Sequence, residues 1–315
     1  MDASVCVTQH SPTDERGIRM GLRADPTYRQ RRFGVEVRRL REAAGLTVGE
    51  AARLVGMRQP HFSNVEAGRT NLSAERLQKL AQALGRTYTY PVDALLALGR
   101  ASGRGWWSDY RTTLGATHLD LAELEAGAVA LRNYELLFIP GLLQTFEYAT
   151  AVHSGGFSPT VSEVRDSAVE FRMRRQKVLS GERPPQFHAI IHEAALRVLY
   201  GGRAVMRDQL LRLIELSRLP NVTIQIIPID NEGSAAFSHP FMVIEPGVVE
   251  LGAVLVDQVG KAQFLDERQA LAEYGESFVR LSALALPPVD AEAVPEARTA
   301  KDSLGLIQHI LYPLL

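Results

Sequence analysis

Gly45, Gly56 and Gly68 stand eleven and twelve residues apart in "LREAAGLTVGEAARLVGMRQPHFSNVEAGR", and this spacing leaves room only for short helices. Glycine ends a helix by taking the left-handed backbone conformation without a Cβ penalty. Phe33, Val37, Leu40 and Ala44 fall at i, i+4, i+7 and i+11, one face of a first helix that Gly45 stops. Thr47-Val48-Gly49-Glu50 reads as a capping box, in which the threonine hydroxyl takes an orphan N–H and the glutamate reaches back. Val48, Ala51, Ala52 and Val55 form the apolar stripe of the second helix, which Gly56 ends. The third helix runs from about Gln59 to Ala67 with Phe62 and Val65 inward, and Gly68 closes it. Pro60 fits its first turn, where an N–H has no intrahelical acceptor anyway. Ser73 caps a fourth helix with Leu77, Leu80, Ala81 and Leu84 inward, closed by Gly85, and Pro91 starts a fifth.

The third helix is unusually polar. A helix that packs on its own domain and also lies in a DNA groove needs one apolar and one polar face. Phe62 and Val65 supply the first. Arg58, Gln59, His61, Ser63 and Asn64 supply the second. Gln and Asn can pair bidentately with adenine and Arg with guanine, while Ser63, Arg69 and the helix N-terminus suit phosphate oxygens. The second helix, the glycine turn and the third helix therefore read as a helix-turn-helix. The charge agrees. Tyr28 to Leu80 carries eleven basic and five acidic residues, net +6, which leaves −7 for the rest of a chain whose total is −1. A basic unit joined to an acidic one suits a polyanion binder with a separate second module, although solvated helix faces give the same count.

Residues 1–27 are polar and aperiodic and read as a disordered arm; residues 28–98 are the helical DNA-binding domain; "GRASGRG", 99–105, is the linker. Residues 106–315 read as an α/β (α+β) regulatory or partner-binding domain. In it "HLDLAELEAGAVALRNYE", "VSEVRDSAVEFRMRRQKVL" and "GGRAVMRDQLLRLIELSRL" are expected helices. "FHAIIH" and "NVTIQIIPI" are expected strands, and "FMVIEPGVVELGAVLVDQV" a hairpin plus a third strand. No apolar run approaches the ~20 residues of a membrane span. The lone Cys6 allows no disulfide within the chain, so a cytoplasmic protein without cofactors is expected. His188 and His192, an i, i+4 pair on a strand, lie about 13 Å apart and cannot share one metal, so no metal site is expected.

Residues 35 to 85 resemble the lambda-repressor-like (xenobiotic-response-element, XRE) helix-turn-helix family, with Leu46, Thr47, Ala52, Gly56, Ser63, Glu66 and Gly68 in its pattern. The resemblance implies that Gln59, Pro60 and Asn64 lie nearest the bases and that Ser63 contacts the backbone; Thr47, Arg58, His61 and Arg69 complete the expected DNA-binding set. Val48 and Arg58 depart from the pattern, standing where the family often has a glutamine and a small cap residue. From about residue 30 the whole chain resembles an actinobacterial family that joins such a unit to an antitoxin-like domain. The stretches that carry it include Trp106-Trp107, "LEAGAVALRNYE", "IPGLLQT", "RMRRQ", "HEAALR" and "DSLGLIQHIL". That implies a transcription regulator of double-stranded DNA, often paired with a small protein encoded nearby, and because a single such unit makes few base contacts a homodimer on two half-sites is expected. A small-molecule-sensing C-terminal domain is the rival reading, and an enzyme fused to a DNA-binding domain a third. Arg172, Arg174 and Arg175 are either a solvated face, or Arg172 and Arg175 join Gln176 in an internal or partner-binding polar network with a carboxylate such as Glu193. Pro140-Gly141 reads as a turn that sends Leu142 and Leu143 to the core, and the tryptophan pair as a packing anchor.

Overall fold

The computed structural model describes residues 25–83, 92–99, 104–154, 162–233, 238–258, 261–292 and 301–315. The N-terminal arm through position 24, Leu84, the Gly85 stop, the Pro91 start and linker positions 100–103 lie outside the described residues.

The N-terminal part is helical. Helices α1 (Tyr28–Ala43), α2 (Val48–Leu54), α3 (Gln59–Glu66), α4 (Ala74–Gln82) and α5 (Val92–Gly99) follow the glycine punctuation. Their local start signals work as chemistry. Thr47 and Glu50 form the expected capping box, and Ser73 accepts from the Arg76 N–H. Thr27, placed in the arm by the sequence, instead caps α1 in a second box with Gln30. Phe33, Val37, Leu40, Ala51, Ala52, Val55, Phe62, Val65, Leu77 and Leu80 form one core with Leu95, Leu96 and Leu98 of α5. Ala44 does not join the stripe; it is the C-cap of α1 and is half-buried.

The C-terminal part is α+β. A six-stranded mixed sheet has the order β3-β2-β1-β4-β5-β6, with β1 at Ala130–Glu135, β2 at Gln186–His192, β3 at Val222–Ile227, β4 at Phe241–Glu245, β5 at Ala253–Gln258 and β6 at Lys261–Leu265. β1, β2 and β3 are mutually parallel, and β4, β5 and β6 run antiparallel to their neighbours. One face buries Leu131, Phe187, Ala189, Ile191, Ile224, Ile226, Met242 and Ile244 under α10 (Arg203–Leu216) and α12 (Ser303–Leu311). The other face buries Tyr134, Ile190, Phe241, Val243, Val254 and Val256 under α11 (Arg268–Leu284). Leu142 and Leu143 are buried, as the Pro140-Gly141 turn predicts.

The stretch read as one helix, "HLDLAELEAGAVALRNYE", is corrected. It divides into α6 (Ala116–Ala126) and β1. Gly127 ends the helix, and Ala130 to Glu135 becomes the central strand because β2 and β4 supply hydrogen bonds on both sides. Its alternation is now visible: Leu131, Asn133 and Glu135 point to one face, Arg132 and Tyr134 to the other.

Helix α1 joins the two parts. Its buried Arg32 lies 3.1 Å from Glu36 and 3.0 Å from Asp266, and donates to the Glu250 carbonyl at 2.8 Å. The Tyr28 ring sits 4.7 Å from Phe264, its hydroxyl donates to Asp266 at 3.1 Å and its N–H to Asp120 at 3.0 Å. Leu251 enters the helical core from the C-terminal side.

Candidate nucleic-acid interface and polar pocket

Helices α2 and α3 meet at Gly56, whose φ of 66° is the left-handed value that the turn requires. Met57 then donates its N–H to Ala52 at 2.8 Å, closing the turn back on α2. Phe62 and Val65 are fully buried and anchor α3. Arg58, Gln59, Pro60, His61, Ser63 and Arg69 are exposed, and Asn64 is half-buried. The far end of α3 is clamped by α1. A Cβ on Gly34 would come within 2.5 Å of the Glu66 carbonyl, and one on Gly68 within 2.6 Å of the Gln30 carbonyl, so two glycines set the helix separation. Arg41 Nε donates to Glu66 at 2.5 Å beside them.

The basic charge is not spread evenly over this unit. Arg32 and Arg39 hold Glu36, Arg38 and Arg41 hold Glu42, and Lys79 holds Glu75. Arg76 donates to the Val55 carbonyl, Arg29 to the Ala97 carbonyl and Arg31 to Asp120. Among the described residues, the side chains of Arg53, Arg58 and Arg69 make no hydrogen bond or ion pair, and all three are exposed on or beside α2 and α3. Arg58 is the N-cap of α3 without a side-chain cap bond, so its guanidinium is left outward. Thr47 is differently placed. Its hydroxyl donates to Glu50 at 2.6 Å and holds that carboxyl below its ordinary range, so its only donor is already engaged.

The C-terminal motifs converge. Arg175 of α8 (Ser162–Arg175) makes a buried bidentate pair with Glu125 of α6, at 2.9 and 2.5 Å. Arg172 donates to Gln144 at 3.0 Å, and Gln144 donates on to the Ile139 carbonyl at 2.7 Å. Gln176 donates to the carbonyls of Gln144 at 2.7 Å and Gly141 at 3.2 Å. Arg172 and Gln176 thus meet at Gln144, Arg175 pairs separately with Glu125, and Glu193 joins neither set. Glu193 opens α9 (Glu193–Arg197), accepts from Arg197 at 2.6 Å and from the Ile229 N–H at 2.8 Å, and Glu125 takes the place expected for it. Trp106 packs edge-on to Trp107 at 5.9 Å, with the Arg174 guanidinium 5.1 Å over its ring.

Above this network is a cavity of about 120 Å³ lined by Asn133, Glu135, Arg172, Arg175, Met242 and Asp257, among others. Burial pushes the Glu135 carboxyl up to about 8, with the negative charge of Asp257 adding to it. Burial, then the like charge of Arg175, pulls Arg172 down to about 10. Glu125, Asn133, Glu135, Gln144 and Asp257 went unmarked in the sequence because each alone looks like a solvated or turn residue.

His188 and His192 serve internal roles. His188 is bonded to Gln225 at 2.7 Å, and the His192 ring accepts from the Ala194 N–H at 3.2 Å. Among the described residues, no cluster of histidine, cysteine and carboxylate side chains could hold a metal, and no helix is long and apolar enough to cross a membrane.

Comparison with known proteins agrees with this geometry. A family model described as "Helix-turn-helix domain" matches residues 32–89, and one described as "Domain of unknown function (DUF5753)" matches residues 119–294. No curated protein and no solved structure matches the chain. The N-terminal helices make the chain a DNA-binding regulator of helix-turn-helix type. Since the second match spans more than half of the 315 residues, the chain belongs to the family of the domain of unknown function DUF5753.

Proposed function

We propose that the chain is a sequence-specific transcription regulator of the lambda-repressor-like class that lays α3 in the major groove as one half of a homodimer. Gln59 and Asn64 read base edges with Pro60 and His61 beside them, and Arg58, Ser63 and Arg69 hold phosphates. The observation that carries the reading is the exposed polar face of α3 flanked by Arg53, Arg58 and Arg69, the arginines of this unit without an internal partner among the described residues. One such helix reaches few bases, so two half-sites and a dimer are expected. On this reading the C-terminal domain holds a small protein encoded nearby, and the chain acts in the cytoplasm without catalysis of its own.

The test is a gel shift on DNA from the chain's own promoter. Gln59→Ala combined with Asn64→Ala should abolish the specific shift while circular dichroism stays native. An unchanged footprint from that double variant rules out α3 as the reading helix. A second reading, a C-terminal domain that answers to a small molecule, is favoured by the charged cavity between Glu135 and Arg172.

A further inference from the structure

Three stretches far apart in the chain meet at one cavity: "LEAGAVALRNYE" brings Glu125, Asn133 and Glu135, "IPGLLQT" brings Gly141 and Gln144, and "RMRRQ" brings Arg172 and Arg175. The two arginines differ. Arg175 is already neutralised by Glu125. Arg172 lines the cavity, is fixed by the buried Gln144 and, among the described residues, makes no ion pair. Across the same cavity Glu135 receives only a long 3.5 Å bond from Asn133, and Asp257 stands at the exposed rim. Arg172 is thus a largely buried cation without a counter-ion, which is costly unless an anion reaches it, while burial by itself keeps the Glu135 carboxyl mostly protonated. Their positions are also preorganised, because Gln176 fixes the loop that fixes Gln144, which lowers the entropy lost on binding.

The signs select the ligand. A lone anion on Arg172 would meet the Asp257 carboxylate, and a lone cation beside Asp257 would meet Arg172. A molecule with both charges satisfies both, and its ammonium lets the neighbouring Glu135 ionise as a second counter-ion. The volume, about 120 Å³, is that of roughly four waters at about 30 Å³ each, so it suits a compact molecule. The larger cavity under α11, about 590 Å³, makes no such demand, since its Arg132 and Glu245 already pair at 3.2 Å.

We propose that the cavity between β1, β5 and α8 binds a small zwitterion of the free amino acid class, its carboxylate on Arg172 and its ammonium between Glu135 and Asp257. This deepens the small-molecule reading above and rests on it only for the regulatory consequence, not for the binding itself.

The experiment is titration calorimetry on the full chain without DNA, using glycine, L-alanine, L-serine and the other common amino acids, with acetate, methylammonium and inorganic phosphate as single-charge probes. At least one amino acid should bind saturably, at least tenfold tighter than any of the three single-charge probes. Arg172→Gln and Asp257→Asn should each weaken it at least tenfold. If Arg172→Gln does not fold, Asp257→Asn, at the exposed rim, decides alone. No saturable amino acid binding, phosphate binding as tight as the best amino acid, or unaltered affinity in the folded variants overturns the proposal. The promoter shift is then run with and without the bound amino acid. Binding that leaves the shift unchanged keeps the site and refutes only the sensor reading.

Discussion

Gly68 has a φ of 71°, and a Cβ there would meet the Gln30 carbonyl at 2.6 Å and Arg31 Cα at 2.8 Å. Gly56 has a similar φ of 66° but open space around it. Both positions exact the left-handed strain of about 1–3 kcal/mol from an alanine, but only Gly68 adds a backbone collision. Gly68→Ala should therefore lower the thermal midpoint more than Gly56→Ala; the reverse order would contradict the close approach of α1 to α3. At Glu135 the linkage has a definite sign. Burial raises the folded carboxyl from 4.5 to about 8, so its stabilising contribution is full below 4.5 and is lost as pH rises through about 8. Glu135→Gln removes that loss. Its stability relative to the parent chain should grow between pH 5 and pH 9 in urea unfolding, and a flat difference would mean the carboxyl is solvated.

Among the elements, the clamp between α1 and α3 decides how the reading face is presented. Arg41 and Glu66 are both nearly buried, with side-chain exposures of 9% and 11%. Arg41→Ala would leave the Glu66 carboxylate enclosed and uncompensated, a loss of about 3–5 kcal/mol. The neighbouring pair of Arg38 and Glu42 is exposed on one helix face, and Arg38→Ala should leave stability nearly unchanged. Chemical denaturation of the two variants measures the contrast. The helix ends were legible because capping is local: Thr47 finds Glu50, and Ser73 the Arg76 N–H, within one turn. Strand β1 was not legible. "ALRNYE" lacks the β-branched run of a buried strand, and its state is set by partners at 186–191 and 241–245. The polar pocket was hidden for the same reason, since Glu125 and Arg175 stand 50 residues apart and gain meaning only when enclosed together.

For the whole molecule, α1 docks the helical part against the C-terminal part. Arg32 is 2% exposed and bridges Glu36 to Asp266. Arg32→Ala leaves those two carboxylates near each other without the cation. Calorimetric unfolding should then change from one transition to two, and a single retained transition would show that the apolar contacts through Tyr28, Phe264 and Leu251 suffice. The free arginines bear on affinity rather than fold. Arg53→Ala, Arg58→Ala and Arg69→Ala should each lower the salt slope of DNA binding by about 1 while leaving the melting point in place. By itself the sequence determined where α2 and α3 begin and end and which residues of α3 face outward, because glycine stops, caps and periodicity act within a few residues. Only the tertiary structure decided that "ALRNYE" is a central strand, that Glu125 rather than Glu193 holds Arg175, and that Arg172 and Glu135 face one cavity. Those outcomes depend on burial and long-range pairing, which no local pattern encodes.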